Sequence, residues 1–212
     1  PYITYNILIH KQKGTLLEKR LVLPQYLTSD QTKSFLREAN RFHQTKRAFM
    51  NNNILLCIHL QLYAGLRIQE ALNLTPSDVV LEKDTKELKV VQGKGGKDRI
   101  VPIAKPLGVG LGFINTYLHP PPHLPYIKVK YRKSVWEWYK KLGEKANVPI
   151  KGTHTLRHTF ARNCLRNGVK LNNLKEILGH SSLQSTEAYT KITPNPDELN
   201  LAMEQVELEV TE

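Results

Sequence analysis

The run Ile54-Leu55-Leu56-Cys57-Ile58-His59-Leu60-Gln61-Leu62-Tyr63-Ala64-Gly65-Leu66-Arg67-Ile68-Gln69-Glu70 changes character at Gly65. Up to Ala64 it is apolar on most faces, interrupted only by His59 and Gln61, as a helix in the middle of a core must be. It falls short of the about 20 apolar residues that span a bilayer, so a buried helix is expected and a membrane partner is not. Gly65 then supplies the residue type that most readily turns left-handed and ends a helix. Directly beyond it, Arg67 and Glu70 bring a cation and an acid to the same turn. The polar run Asn51-Asn52-Asn53 marks the expected start of this helix.

Helical signals recur on both sides. Thr28-x-x-Gln31 has the form of a capping box, with a helix expected to about Phe42. Residues 1–27 are strand-like and basic, broken at Pro24, and are expected to be a linker or the remnant of a preceding domain. Short alternating segments at Val79–Leu81, Leu88–Val91 and Arg99–Ile103, joined by turn-rich residues, predict a small antiparallel sheet. Pro120-Pro121-Pro122 excludes helix, and Ser134–Ala146 resumes it with Val135, Trp138, Tyr139 and Leu142 on one side. Two more helices are expected at His154–Arg166, ending at Gly168, and at Leu171–Leu178, closed by Gly179. Ser181–Gln184 offers a further capping box for a short helix carrying Tyr189. The fold class is thus mainly α with a small antiparallel β-sheet (α+β), with no internal repeat.

Composition narrows the partner. The chain has 212 residues, 31 Lys and Arg against 19 Asp and Glu, and a net charge of +12. With 40% hydrophobic residues it can build a core, which excludes a disordered polyampholyte. The charge is unevenly placed. Residues 194–212 hold six acids and no Lys or Arg, which leaves +18 on residues 1–193. A body that basic suits a polyanion, and nucleic acid comes first because neutralised phosphates release counterions. Cys57 and Cys164 lie inside apolar helical patterns without a CxxC spacing, so neither a metal site nor a disulfide is indicated and a reducing cytoplasm fits.

Four segments place a cation or a proton-transfer group beside a glycine turn or a helix start: Gly65-Leu66-Arg67-Ile68-Gln69-Glu70, Gly93-Lys94-Gly95-Gly96-Lys97-Asp98-Arg99, His154-Thr155-Leu156-Arg157-His158, and Leu178-Gly179-His180 with Tyr189 nine residues on. Each alone has an ordinary explanation. Arg67 and Glu70 have the spacing of a surface ion pair, the glycine segment that of a basic hairpin, and His180 that of a helix C-terminal cation. His154 and His158 have the spacing of a metal pair, but no Asp, Glu or Cys lies nearby in sequence to complete a site. Together, in this order, the segments resemble the catalytic domain of the tyrosine recombinase (phage integrase) family, from about Leu27 to Thr193. The resemblance implies a catalytic domain over residues 28–193; beyond it, the acidic tail over 194–212 carries Leu199, Leu201, Met203, Val206, Leu208 and Val210 among its acids, a pattern that could dock on a neighbouring subunit.

The same resemblance implies roles. Arg67 and Arg157 would stabilise the charge of a pentacoordinate phosphorus, a task for which planar bidentate donors are suited. Tyr189 would be the nucleophile, His154 the base, Lys94 the proton donor to the leaving 5′-oxygen, and His180 a hydrogen-bond donor to a non-bridging oxygen. Glu70 would orient a neighbour. Lys128, Lys130, Arg132 and Lys133 would hold phosphates while the helix from Ser134 approaches the major groove, and Lys97 and Arg99 would add backbone contacts. The implied activity is DNA cleavage and rejoining through a 3′-phosphotyrosyl link at specific sites in double-stranded DNA, by a homotetramer that is a monomer when free, with neither metal nor other cofactor. A type IB topoisomerase and a non-catalytic DNA-binding module are the rival readings.

Overall fold

Why the chain ends up mostly helical is visible first in its central helix. The computed structural model describes residues 25–43, 48–82, 86–91, 98–113, 115, 120–129 and 131–180. Within them α2 (Ala48–Ala64) is surrounded by α1 (Ser29–His43), α3 (Ile68–Asn73), α4 (Lys105–Phe113) and α6 (Thr155–Arg166). Ile54, Cys57, Ile58, Leu60, Leu62 and Ala64 are all buried, which explains why this helix needs no polar face. It stops at Gly65, whose φ of +63° is left-handed. A side chain there would sit 2.4 Å from Cδ1 of Phe160.

The helix starts earlier than the asparagine run predicts, at Ala48. Asn53 lies inside it and is buried, because its Oδ1 accepts the backbone N–H of Lys128 at 2.7 Å. A residue type that competes for the backbone in isolation is here taken up by a tertiary contact. The capping box at α1 forms as expected. Gln31 N–H donates to Thr28 Oγ1 at 3.2 Å and Thr28 N–H to Gln31 Oε1 at 2.9 Å. Phe35 of α1 meets Tyr139 edge to face, with centroids 6.2 Å apart. Gln25–Leu27, expected to belong to the linker, pack into the body: Leu27 is buried and its N–H donates to Thr159 Oγ1 at 2.9 Å.

Three antiparallel strands, β1 (Val79–Leu81), β2 (Lys86–Val90) and β3 (Arg99–Pro102), form a sheet in the order β1-β2-β3. The register pairs Val79 with Leu88 and Leu88 with Val101, so Leu88, Val90 and Val101 face the core. The helix α4 has no counterpart among the predicted elements. Its Gly108, Gly110 and Gly112 argue against helix, and burial of Leu107 and Leu111 overrides them, while Pro106 sits in the first turn, where proline is tolerated. α5 (Arg132–Ala146) begins two residues before Ser134 and buries Val135, Tyr139 and Leu142 against α1. α6 is followed by α7 (Leu171–Leu178), with Gly168 and Gly179 both left-handed after them.

Candidate active site

The site is assembled where α2 ends, α3 and α6 begin and α7 stops. Beneath it lies Gln61, fully buried. Its amide donates to Thr153 O at 2.9 Å and to Leu66 O at 3.4 Å, and its Oε1 accepts the hydroxyl of Tyr139 at 2.9 Å. One side chain thereby ties the loop before His154 to the loop before Arg67. In the sequence Gln61 reads only as an interruption of an apolar run. The signal was nonetheless present, since a polar side chain in that setting has to be paired.

Arg67 occupies the N-cap of α3, and Glu70 reaches back to it. The Arg67 N–H donates to Glu70 Oε2 at 2.7 Å and its Nη1 to Oε1 at 2.8 Å. Arg67 Nη2 donates to Gly179 O at 3.0 Å. Arg157, only 2% exposed, donates from Nη1 to Gly65 O at 2.7 Å and from Nη2 to Leu178 O, with its Nη1 3.6 Å from Glu70 Oε2. The carbonyls at the end of α7 carry partial negative charge, which suits them to hold guanidiniums. The pair Arg67–Glu70 is therefore no surface ion pair, because the Glu70 side chain is 9% exposed and serves several cations. Burial alone would raise the Glu70 pKa, but the hydrogen bonds and charge of Arg99, with the bonds from Arg67, outweigh it and hold the group at about 2.

Arg99 corrects one expectation. Instead of reaching toward DNA from the hairpin, its guanidinium donates from Nη1 and Nη2 to the two Glu70 oxygens at 3.0 and 2.8 Å, and from Nε to Ile177 O at 2.8 Å. Its side chain is 9% exposed. Period-two alternation holds the clue: Arg99 shares a strand face with Val101, which is in the core.

Two imidazoles adjoin the arginines. His180 Nε2 lies 3.3 Å from Arg157 Nη2. A guanidinium cannot accept, so a hydrogen bond there uses the Nε2 lone pair and leaves the proton on Nδ1. Desolvation and the charges of Arg157, Arg67 and Arg99 lower the His180 pKa to about 4. His154, the N-cap residue of α6, is lowered by partial burial and by Arg157, Arg67 and Arg132. Both are neutral at pH 7, the state required of a proton acceptor. His158, 6.0 Å from His154 between ring centres, is lowered to about 4, first by burial and then by the nearby His154, Arg157 and His180. Among the described residues no group of three or more His, Cys, Asp or Glu is placed to hold a metal ion.

The structure thus brings together Arg67, Glu70, His154, Arg157 and His180, and adds Arg99 and Gln61. Lys94, Lys97, Lys130 and Tyr189, and the tail over 194–212, lie outside the described residues. Arg132 and Lys133 are exposed at the start of α5 and Lys128 in the segment before it, and the charge of Arg132 is felt at His154. No helix among the described residues is long and apolar enough to cross a membrane.

Fold and site define an α+β domain with a cluster of buried and half-buried guanidiniums and neutral imidazoles beside it, a setting suited to a phosphate-like anion. The chain belongs to the phage integrase family, which it matches over residues 25–195. It is 38% identical over 182 residues to the tyrosine recombinase XerA of Pyrococcus horikoshii, covering 81% of this chain and 58% of the relative. The chain therefore spans little more than half the length of that relative. A crystal structure of XerA recombinase superposes with a TM-score of 0.66 at 29% identity, over 87% of this chain and 66% of that one. The catalytic domain of bacteriophage HP1 integrase gives 0.61 at 27% identity, over 85% of this chain and 94% of the integrase domain.

Proposed function

We propose that this chain is the catalytic part of a site-specific recombinase that cuts and rejoins double-stranded DNA. The observation that carries the reading is the pair Arg67 and Arg157, both anchored to the end of α7 and both served by Glu70, next to His180. In the proposed step the Tyr189 oxygen bonds to phosphorus while the bond from phosphorus to the 5′-oxygen breaks. The Tyr189 proton passes to neutral His154, and Lys94 protonates the departing oxygen. The products are a 3′-phosphotyrosyl ester and a free 5′-hydroxyl. One ester replaces another, so a 5′-hydroxyl from a second strand reverses the step without ATP. Arg67 and Arg157 bind the non-bridging oxygens, where charge accumulates. A phosphate beside Arg157 also competes for the donor that faces His180 Nε2 and favours the imidazolium, so His180 gains a second N–H as the anion arrives.

Exposed Lys128, Arg132 and Lys133, together with Lys97 and Lys130, are proposed to hold flanking phosphates, a reading supported by the charge that Arg132 exerts at His154. Two strand exchanges within a homotetramer, with the acidic tail docked on a neighbour, complete the proposed reaction. The test uses short nicked duplexes of random sequence, from which the cut strand's terminal fragment is lost by diffusion. Denaturant-stable adducts carrying DNA on Tyr189 are expected, and Tyr189→Phe is expected to bind without forming them. Adducts that persist in that variant would refute the assignment. Relaxation of supercoiled plasmid by a monomer, without exchange between duplexes, would favour the topoisomerase reading.

A further inference from the structure

Arg99 is bound on three sides by groups from two other elements. Its two Nη atoms meet both oxygens of Glu70 from α3, and its Nε meets the carbonyl of Ile177 near the end of α7. The fit is close: a side chain at Gly179 would lie 3.0 Å from Arg99 Cδ and 3.1 Å from its Nη1. Arg99 opens β3, so this single guanidinium fastens the hairpin strand to α3 and α7 at once. What it does to Glu70 matters more. A carboxylate offers two oxygens, and a free one would pair fork to fork with the nearest guanidinium. Arg67 already bonds Glu70 Oε1 at 2.8 Å, and Arg157 stands 3.6 Å from Oε2. Either could pivot onto the acid and turn its donors away from an incoming phosphate.

We propose that Arg99 is a positioning residue: by occupying both oxygens of Glu70 and the end of α7, it keeps Arg67 and Arg157 aimed at the scissile phosphate. This rests on the recombinase reading of the site. Lysine does not substitute for it, since one ammonium cannot bridge two carboxylate oxygens and a carbonyl in a planar fork. Arg99 touches no substrate in this role, which separates it from a phosphate contact.

The experiment compares the full chain with Arg99→Gln, Arg99→Lys, Glu70→Gln and the double variant Glu70→Gln/Arg99→Gln. The probe is a nicked duplex on which the parent forms the Tyr189 adduct. At saturating DNA, both Arg99 variants are expected to form it roughly 10- to 100-fold more slowly. The salt slope of DNA affinity is expected to stay as in the parent, whereas Lys133→Gln flattens it by about 1. The double variant is expected to be no slower than Glu70→Gln alone, because Arg99 acts through Glu70. Full activity in Arg99→Lys, a slope flattened by about 1, or multiplying losses in the double variant would each overturn the proposal. A second arm needs no reaction: inorganic phosphate is titrated while the His180 ring resonances are followed. Both Arg99 variants are expected to bind it more weakly, and unchanged affinity in Arg99→Lys would overturn the proposal. If the parent forms no adduct on any duplex, the recombinase reading falls, and the phosphate arm still decides whether Arg99 positions the cluster.

Discussion

Replacing Gly65 with alanine attacks the point at which the central helix hands the chain to the site. Gly65 has φ +63°, and an added Cβ would lie 2.4 and 2.6 Å from Cδ1 and Cε1 of Phe160 and 3.2 Å from Cδ2 of Leu178. The left-handed conformation costs a non-glycine residue about 1–2 kcal/mol. Forcing a methyl against a packed ring costs a further about 1–3 kcal/mol. Phe160 is only partly buried, so its ring can swing aside and relieve the second cost but never the first. The sum, about 2–5 kcal/mol, corresponds in a domain of this size to a melting temperature lower by roughly 5–15 °C. Thermal and urea unfolding followed by circular dichroism measure it. Gly65→Ala/Phe160→Leu is expected to recover the packing part alone. Because Gly65 O accepts Arg157 Nη1 at 2.7 Å, adduct formation is expected to fall as well, even at temperatures where the variant is folded. A Gly65→Ala melting point within about 1 °C of the parent would refute both the strain and the packing argument.

Other perturbations test the site's electrostatics and its support. Glu70, held at about 2 against an ordinary 4.5, contributes stability that is present above pH 4.5 and lost as pH falls toward 2, up to about 3 kcal/mol; urea midpoints for Glu70→Gln are expected to lack that loss. His158 and His180, depressed to about 4 from 6.5, bind protons in the unfolded chain before the folded one, so stability also declines between pH 6.5 and 4. Ring titrations by NMR should place both midpoints near 4, and midpoints near 6.5 would contradict the packing around them. Gln61→Leu leaves the Tyr139 hydroxyl and Thr153 O without the amide they share, at about 1–3 kcal/mol for each stranded group. Adding Tyr139→Phe is expected to restore much of the urea midpoint but not the rate of adduct formation.

Much of this organisation was legible because local chemistry and tertiary need agreed. Gly65 ends α2, the Thr28–Gln31 box opens α1, and the apolar spacing of Leu174 and Leu178 makes α7. Where they disagreed, the sequence misled. Glycines at 108, 110 and 112 hide α4, whose existence depends on burying Leu107 and Leu111. The asparagines before Ile54 look like a cap until Asn53 finds the Lys128 amide. In the site, residue types announced Arg67, Glu70, His154, Arg157 and His180. Pairing did not follow from type: Arg99 looked like a hairpin cation because its partners, Glu70 and Ile177, are 29 and 78 positions away. Gln61 was obscured in the same way by its 92-residue separation from Thr153.

The guanidiniums gathered on the end of α7 have a thermodynamic side. Arg67, Arg99 and Arg157 face one carboxylate, Glu70, so the formal charges leave an excess of two, which a helix terminus offsets by only about half a charge. Like charges held this close repel, and the folded domain carries that repulsion whenever the site is empty. Any anion that settles there is a ligand of the folded state alone, and at a hundred times its dissociation constant it adds about 2.7 kcal/mol to stability. Occupancy and foldedness are then linked quantities: the domain is less stable with the site empty than with an anion bound there.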